Sequence, residues 1–495
     1  MKNPLEFYKK HKTELEKEAA TLKKKLVNLS VFRFALFLTT CFLFYITFGE
    51  YPTVFIIAFF GIAIFSLLVL KYLKLKRAKD ILDAKININN TEIKVLNRDF
   101  LHLEAGENFI NPTHFYSNDI DLFGKGSFFQ YANRTTTLDG KKRLATIFTE
   151  NKIDGIVEKQ KAINELSSKV KWRQHFAALA SLVTVKTATT LITNWILNYI
   201  SVFPKFLKTV QVAFSIISLA LIGLISFGFV PFSYLIIWFL VGLFVTGAFI
   251  KKTSNLYTET DKVRDTFKQY HQLLNEIETA SFISINLVEK QQIIQSENKK
   301  ASTIFKEFAK ILDAFDQRNN MIISVLGNGL FLLEINNAFK VEKWISTYKH
   351  TVENWFEVVA YFDAQNSLGN FKYNHPKFIF PEITSEKKVI EAINLGHPLL
   401  NSEKRIDNNF NINNISSYGG TVGNSYARFS ASGDSLFLGS SVLNLGTSTY
   451  SSFTLSNQNV FFDAGTSHII TTDVYSSGND SETFYNVSKV RRING

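Results

Sequence analysis

The sequence predicts a mainly α-helical protein built from transmembrane helical hairpins and a long-helix core, followed by a β-rich or partial α/β segment. Three observations carry this. Apolar runs of about 18 residues occur in two close pairs. Apolar residues recur every three or four positions from about 255 to 370. Near residue 416 the composition turns to Ser, Thr, Gly and Asn with interleaved Val, Leu and Phe.

At 495 residues the chain can hold two or three domains with sizeable cores. Its net charge is +12, and Phe is abundant at 47 residues. Lysines beside apolar runs read as groups facing anionic lipid, with nucleic-acid binding as the competing use of a basic chain. Cys41 is the sole cysteine, which excludes a disulfide framework, and it lies within an apolar run as a small hydrophobe. The histidines show no H-E-x-x-H or other paired spacing, so they read as ordinary core or surface residues.

The first apolar pair is Val31 to Phe48 and Thr53 to Leu70, with Gly49-Glu50-Tyr51-Pro52 as the turn. Each run spans roughly 27 Å as a helix, close to the ~30 Å hydrocarbon core. The second pair is Val212 to Phe229 and Ser233 to Ile250, broken at Val230-Pro231. A buried soluble helix is rarely apolar all round for this length. Residues 176 to 200 carry Lys186, Asn194 and many Thr, and read as a soluble or interfacial helix.

Lysines set the orientation. Lys9, Lys10, Lys12, Lys17 and Lys23 to Lys25 precede the first hairpin, and Lys71, Lys74, Lys76, Arg77 and Lys79 follow it. The turn at Glu50 has no positive charge. Lys205, Lys208, Lys251 and Lys252 flank the second pair in the same way. The positive-inside rule predicts a multi-pass protein of the inner (cytoplasmic) membrane with its soluble segments in the cytoplasm. The amphipathic, lysine-rich start is not that of a cleavable signal peptide.

In the soluble part, Phe305, Phe308, Leu312 and Phe315 form one apolar helix face. Trp344, Tyr348, Val352, Trp355, Val359 and Phe362 continue the habit in the next helix. Core packing explains these aromatics, and long antiparallel helices are expected, closed by Asn374-His375-Pro376 and Phe380-Pro381. Beyond 416, Ser435 to Leu438 and Asn459 to Phe462 read as short strands between turns.

Several stretches together resemble the MutS family. The first is Asp121-Leu-Phe-Gly-Lys-Gly-Ser127, then Asn133-Arg-Thr-Thr-Thr-Leu-Asp-Gly140-Lys-Lys-Arg-Leu144. It is similar to the Gly-Ser step, Thr-x-Thr and Arg-Leu helix that open the family's helical core. The second is Asp363 with Ser367-Leu368, similar to the acidic-x-x-x-Ser-Leu before the ATPase domain. The third is Gly396-His-Pro-Leu-Leu400 followed by Arg405-Ile-Asp-Asn-Asn-Phe410, similar to the His-Pro entry and adenine turn of that domain. The resemblance covers roughly residues 115 to 415, and the transmembrane pairs suit a membrane-anchored branch. It implies a basic helix and membrane hairpin over 1–80, a helical core over 81–385 interrupted near 212–250, and a partial, degenerate P-loop ATPase-like domain over 386–495.

What the resemblance implies about chemistry is ATP and Mg²⁺ bound by that last segment. Ile406 and Asn408 fall on the adenine turn, and Gly420, Gly423, Asn424 and Ser425 on the phosphate loop, with Ser425 on the metal. A P-loop needs glycine backbone around the phosphates, a lysine on the β- and γ-phosphates and Ser/Thr on Mg²⁺. Gly419-Gly420-Thr-Val-Gly-Asn-Ser425 supplies the glycines and Ser425, but Asn424 stands where the lysine belongs, so phosphate affinity falls. Asn409 likewise replaces an acidic residue. Ser452 to Ser456, Thr466 to Asp473 and Thr483-Phe-Tyr485 still resemble family segments. The strand ending in Asp-Glu and the mismatch-reading Phe-x-Glu are not found. No catalytic residue is therefore assigned, impaired hydrolysis is expected, and direct mismatch recognition is not.

The partners implied are membrane lipid, double-stranded DNA held through its phosphates, and a second copy of the chain as a homodimer. The alternative is a non-enzymatic membrane scaffold that keeps the helical core as an interaction module. A transporter is disfavoured because the spans lack internal acidic residues and show no inverted repeat.

Overall fold

Asn3 begins the first helix by accepting a hydrogen bond from the Leu5 amide at 3.0 Å, and Pro4 occupies the first turn, where its missing N–H costs nothing. Helix α1 (Pro4–Ile46) joins the lysine-rich stretch and the first apolar run into one rod. The chain reverses through Thr47 to Glu50 into α2 (Tyr51–Leu96). Tyr51 and Pro52 thus belong to the first turn of α2 rather than to the reversal, as the fixed φ of proline favours. Arg33 of α1 lies 4.1 Å over the Tyr72 ring of α2, tying the pair beside its apolar stretch.

The computed structural model describes residues 3–150, 152–183, 185, 187–204, 206–295, 299–383, 390–401 and 403–412; beyond 412 it describes strand segments only. The chain is mainly helical. After α2 come α3 (Phe128–Ala132), α4 (Leu138–Thr149), α5 (Ile156–Ser168), α6 (Val170–Ser181) and α7 (Thr189–Leu197). Residues 176 to 200, read as one helix, are divided between α6 and α7. The second membrane pair is α8 (Phe206–Ser226) and α9 (Ser233–Thr279), and Phe214 stacks on Trp238 at 4.3 Å between them. Then follow α10 (Ile285–Ile293), α11 (Ala301–Asp316), α12 (Met321–Phe331), α13 (Leu333–Tyr348) and α14 (Val352–Asn374).

Among the described residues four helices, α1, α2, α8 and α9, are long and apolar enough to cross a membrane. Their apolar stretches lie almost wholly on the outside, which in water would be strongly unfavourable and in hydrocarbon is the favoured state.

The chain divides into two compact units, Met1–Ile93 with Arg134–Thr146 and Lys152–Phe378, and Lys94–Asn133 with Ile147–Asn151 and Ile379–Gly495. In the first, Phe305, Phe308, Leu312 and Phe315 are all buried, as the helix spacing predicts. Phe308 stacks on Trp344 at 3.8 Å, and Phe267 of α9 meets Phe305, Phe308, Trp344 and Phe356 at 4.7 to 5.8 Å. The second aromatic series falls on two helices, because the chain breaks between Tyr348 and Val352. In the second unit, Ser127 caps α3 by accepting from the Gln130 amide, and Gln130 in turn donates to the carbonyls of Leu101 and Leu103. Phe129 is buried against Phe109, Phe123 and Phe148.

Strands β1 (Ile390–Leu395) and β2 (Asn408–Ile412) pair antiparallel in this unit. Later segments β3 (Ser425–Phe429) and β4 (Leu436–Ser440) pair antiparallel, as do β5 (Phe461–Phe462), β6 (His468–Ser476) and β7 (Thr483–Arg492) in the order 5-6-7.

Candidate functional site

Two of the stretches that carry the family resemblance meet inside the first unit. Thr137 caps α4 by accepting from the Gly140 amide at 3.0 Å. Its own hydroxyl donates to Asp363 of α14 at 2.7 Å, and its amide donates to the same carboxylate at 2.8 Å. Thr136 adds its amide at 3.0 Å and its hydroxyl at 3.2 Å. Gly140 is required here by close approach, because a Cβ would run into the Asp363 carboxylate. One turn on, Ser367 accepts from the Arg134 amide at 2.8 Å.

The joint extends to the first two long apolar helices, α1 and α2. Arg134 pairs with buried Glu92 of α2 at 2.5 Å, and Asn374 donates to the other Glu92 oxygen at 2.7 Å. Tyr8 of α1 donates to Asn374 at 2.9 Å, and Arg173 of α6 donates to Asn370 at 2.9 Å. Burial pushes the Asp363 carboxyl up to about 6, against the pull of the Thr137 and Thr136 hydrogen bonds. Burial likewise raises Tyr8, helped by Glu92, and lowers Arg173. Two α14 amides depart from this satisfaction. Gln365 Oε1 and both amide atoms of Asn366 are buried without a hydrogen-bond partner among the described residues, a setting that suits ordered water.

In the second unit, the His-Pro turn is held from below by Arg98. Its guanidinium donates to the carbonyls of Pro398, Leu399 and Leu400 at 3.1, 3.2 and 2.8 Å. Arg405 donates to the His397 carbonyl at 3.2 Å and pairs with Asp407. Ile406 is 80% exposed, and Asn408 is exposed at the start of β2, opposite Leu395. Asn409 accepts from the Asn394 amide at 2.9 Å, a structural use for the residue that replaces the family's acid. Gly420, Gly423 and Asn424 lie outside the described residues. Ser425 heads β3, and its side chain is not described.

A cleft of about 470 Å³ opens in the first unit between α2, α9 and α11. Arg77, Lys268, Lys306 and Lys310 line it against two carboxylates, Asp80 and Asp313, so cations exceed acids by two. Lys268 pairs with Asp313 at 2.6 Å. Arg77, Lys306 and Lys310 make neither a hydrogen bond nor an ion pair among the described residues. His271, also lining the cleft, is pushed down to about 4 by burial and by the charges of Arg77 and Lys306. It is therefore neutral near pH 7, and the cleft offers positive charge to an anion. Lys306 and Lys310 stand at i,i+4 on α11, legible as its polar face, but nothing local announces Arg77 as their neighbour.

No family model, curated protein or solved structure matches the chain.

Proposed function

We propose that this chain is a membrane-anchored MutS-like protein that binds ATP and duplex DNA, with impaired hydrolysis, on the cytoplasmic side of an inner membrane. The observation that carries the reading is the Asp363 joint. Arg134 to Gly140 and Asp363 to Ser367, two separate stretches of the resemblance, are each other's hydrogen-bond partners across more than 220 residues of chain. The exposed Ile406 beside the braced His-Pro turn suits a base-stacking position, and the basic cleft suits a phosphate. Homodimerisation follows from the same resemblance.

The test is binding of a fluorescent ATP analogue with Mg²⁺ to the full chain in detergent, beside Asn424→Lys. Binding by the native chain supports a P-loop that still works. Binding by the variant alone supports a surviving fold with a decayed site, and no binding by either removes the nucleotide part of the proposal. The scaffold reading is favoured by one specific observation, that the Asp363 joint is directed inward at helix packing. Failure to bind duplex DNA at any salt concentration would decide for it.

A further inference from the structure

Helix α12 (Met321–Phe331) is only 11 residues long and is bent by 85° from α13 at Leu332, which takes a left-handed φ of 50°. It packs on α8 and α9. At its start, Asn319 donates to the Tyr257 hydroxyl, seven residues past the end of the α9 apolar run at Ile250. At its other end, Gly329 lies against Gly242 and Phe239, at the middle of that run. A Cβ on Gly242 would strike the Gly329 carbonyl, and a Cβ on Gly329 would strike the Phe239 ring. Tyr257 stands ~10 Å outside the end of the run at Ile250 and Gly242 ~12 Å inside it, so α12 ends ~12 Å into the ~30 Å hydrocarbon layer.

Backbone leaving a helix at that depth must be satisfied by protein. Here it is. The Leu330 carbonyl accepts from Ser218 of α8 at 2.5 Å, and Trp238 donates to the same hydroxyl oxygen at 2.8 Å. The Phe331 carbonyl accepts from Gln211 at 3.2 Å and Ser215 at 3.4 Å. At the start of α13, the Glu334 amide donates to Asn328 at 2.9 Å, and the Glu334 carboxylate accepts from Thr253 at 3.0 Å. On the outer face Met321 and Ile322 are 79% and 70% exposed, and Leu326 is 52% exposed. On α8 and α9, Ile216, Leu240 and Phe244 are likewise exposed.

We propose that α12 is a re-entrant membrane helix. It enters from the side that holds the helical core, turns within the near leaflet on the Gly242–Gly329 contact, and returns through α13, with Ile322 and Leu326 facing lipid. The proposal rests on reading α8 and α9 as membrane spans.

The test uses nitroxide labels on single cysteines in a Cys41→Ala background, in vesicles of phosphatidylcholine and phosphatidylglycerol. Sites are Ile322→Cys and Leu326→Cys on α12, Leu240→Cys on α9 as the control, and Asn319→Cys and Lys349→Cys as flanks. Power saturation is expected to show 322 and 326 open to oxygen and shielded from a water-soluble nickel chelate, like 240, with 326 the deeper. An impermeant maleimide is expected to label 319 and 349 from one and the same side. Nickel access at 322 and 326 with 240 shielded overturns the re-entrant helix alone. Labelling of 319 and 349 from opposite sides does the same by making the segment a full span. Nickel access at 240 overturns the membrane reading and this proposal with it.

Discussion

Replacing Asp363 with Ala removes the acceptor for the buried amide of Thr137 and the half-buried amide of Thr136. Each buried donor left unpaired costs about 1–3 kcal/mol, so the variant should lose about 4 kcal/mol where the native carboxyl contributes most. That pH follows from its titration. Burial raises the folded carboxyl to about 6, while an unfolded Asp titrates near about 3.9. Between these values the folded state binds the proton and the unfolded state does not. The contribution is therefore fully present below about pH 4 and is lost as pH rises through 6. From pH 5 to pH 7 the native protein should lose about 1 kcal/mol through this group alone. His271 acts in the opposite direction over the same range, since its lowered value makes acidification destabilising. The informative quantity is thus the difference between native and Asp363→Ala protein, in which His271 cancels. In lipid nanodiscs, thermal unfolding followed by tryptophan fluorescence should show a gap in Tm between the two proteins that is larger at pH 5 than at pH 7. A gap that is constant, or larger at pH 7, would refute the raised carboxyl and leave the Thr136 and Thr137 bonds as the dominant influence.

Gly140→Ala should destabilise by about 1–3 kcal/mol, because the new methyl meets the Asp363 carboxylate; the same unfolding assay reads it, and an unchanged Tm would mean that α4 can shift away. On the proposed DNA-binding role, Lys306→Glu with Lys310→Glu should weaken duplex binding and lower the slope of log K against log salt by up to about 2, as measured by fluorescence anisotropy across salt concentrations; an unchanged slope would remove the basic cleft from that role. Ser218→Ala should cost about 1–3 kcal/mol by leaving the Leu330 carbonyl unpaired within the apolar layer, and faster hydrogen exchange at Leu332 to Glu334 should report the loosened turn.

What the sequence made legible was periodic. The Phe305 face and the four long apolar helices are statements about spacing and length, and hydrophobic burial enforces both. The turn at Gly49 was legible, yet Pro52 lay one step inside the next helix, since proline suits a first helical turn as well as a reversal. α12 escaped because 11 residues interrupted by Gly327, Asn328 and Gly329 fall below the length of any span. Only contacts with Gly242 and Ser218, about 90 to 110 residues away in the chain, explain it. The same holds for Arg98 under the His-Pro turn and for Arg77 in the basic cleft. A cation has no periodicity, and its partner is chosen by the fold. Asp363 and Thr137 stood out as motif residues, but their roles as acceptor and cap became visible only when α4 and α14 met.

With α1 and α2 read as membrane spans, the joint also bears on where the core would stand relative to the bilayer. Tyr8 lies 23 residues before Val31 on α1, and Glu92 lies 22 residues after Leu70 on α2. At 1.5 Å per residue these unbroken helices carry the two side chains ~35 Å and ~33 Å from their apolar runs. Both then reach the same partner, Asn374. Two helices of opposite direction arriving at one residue by nearly equal lengths act as struts, since neither contains a glycine or proline between its apolar run and the joint at which to hinge. Asn374 thereby stands roughly 30 Å from the two apolar runs, with Asp363 ~16 Å away from it along α14. The distance of Asn374 from the runs is several times the ~8 Å Debye length at physiological ionic strength, so the negative potential of anionic lipid is screened there. A polyanion could approach that end of the core without repulsion from the bilayer, a condition that any DNA-binding role for an anchored protein must satisfy.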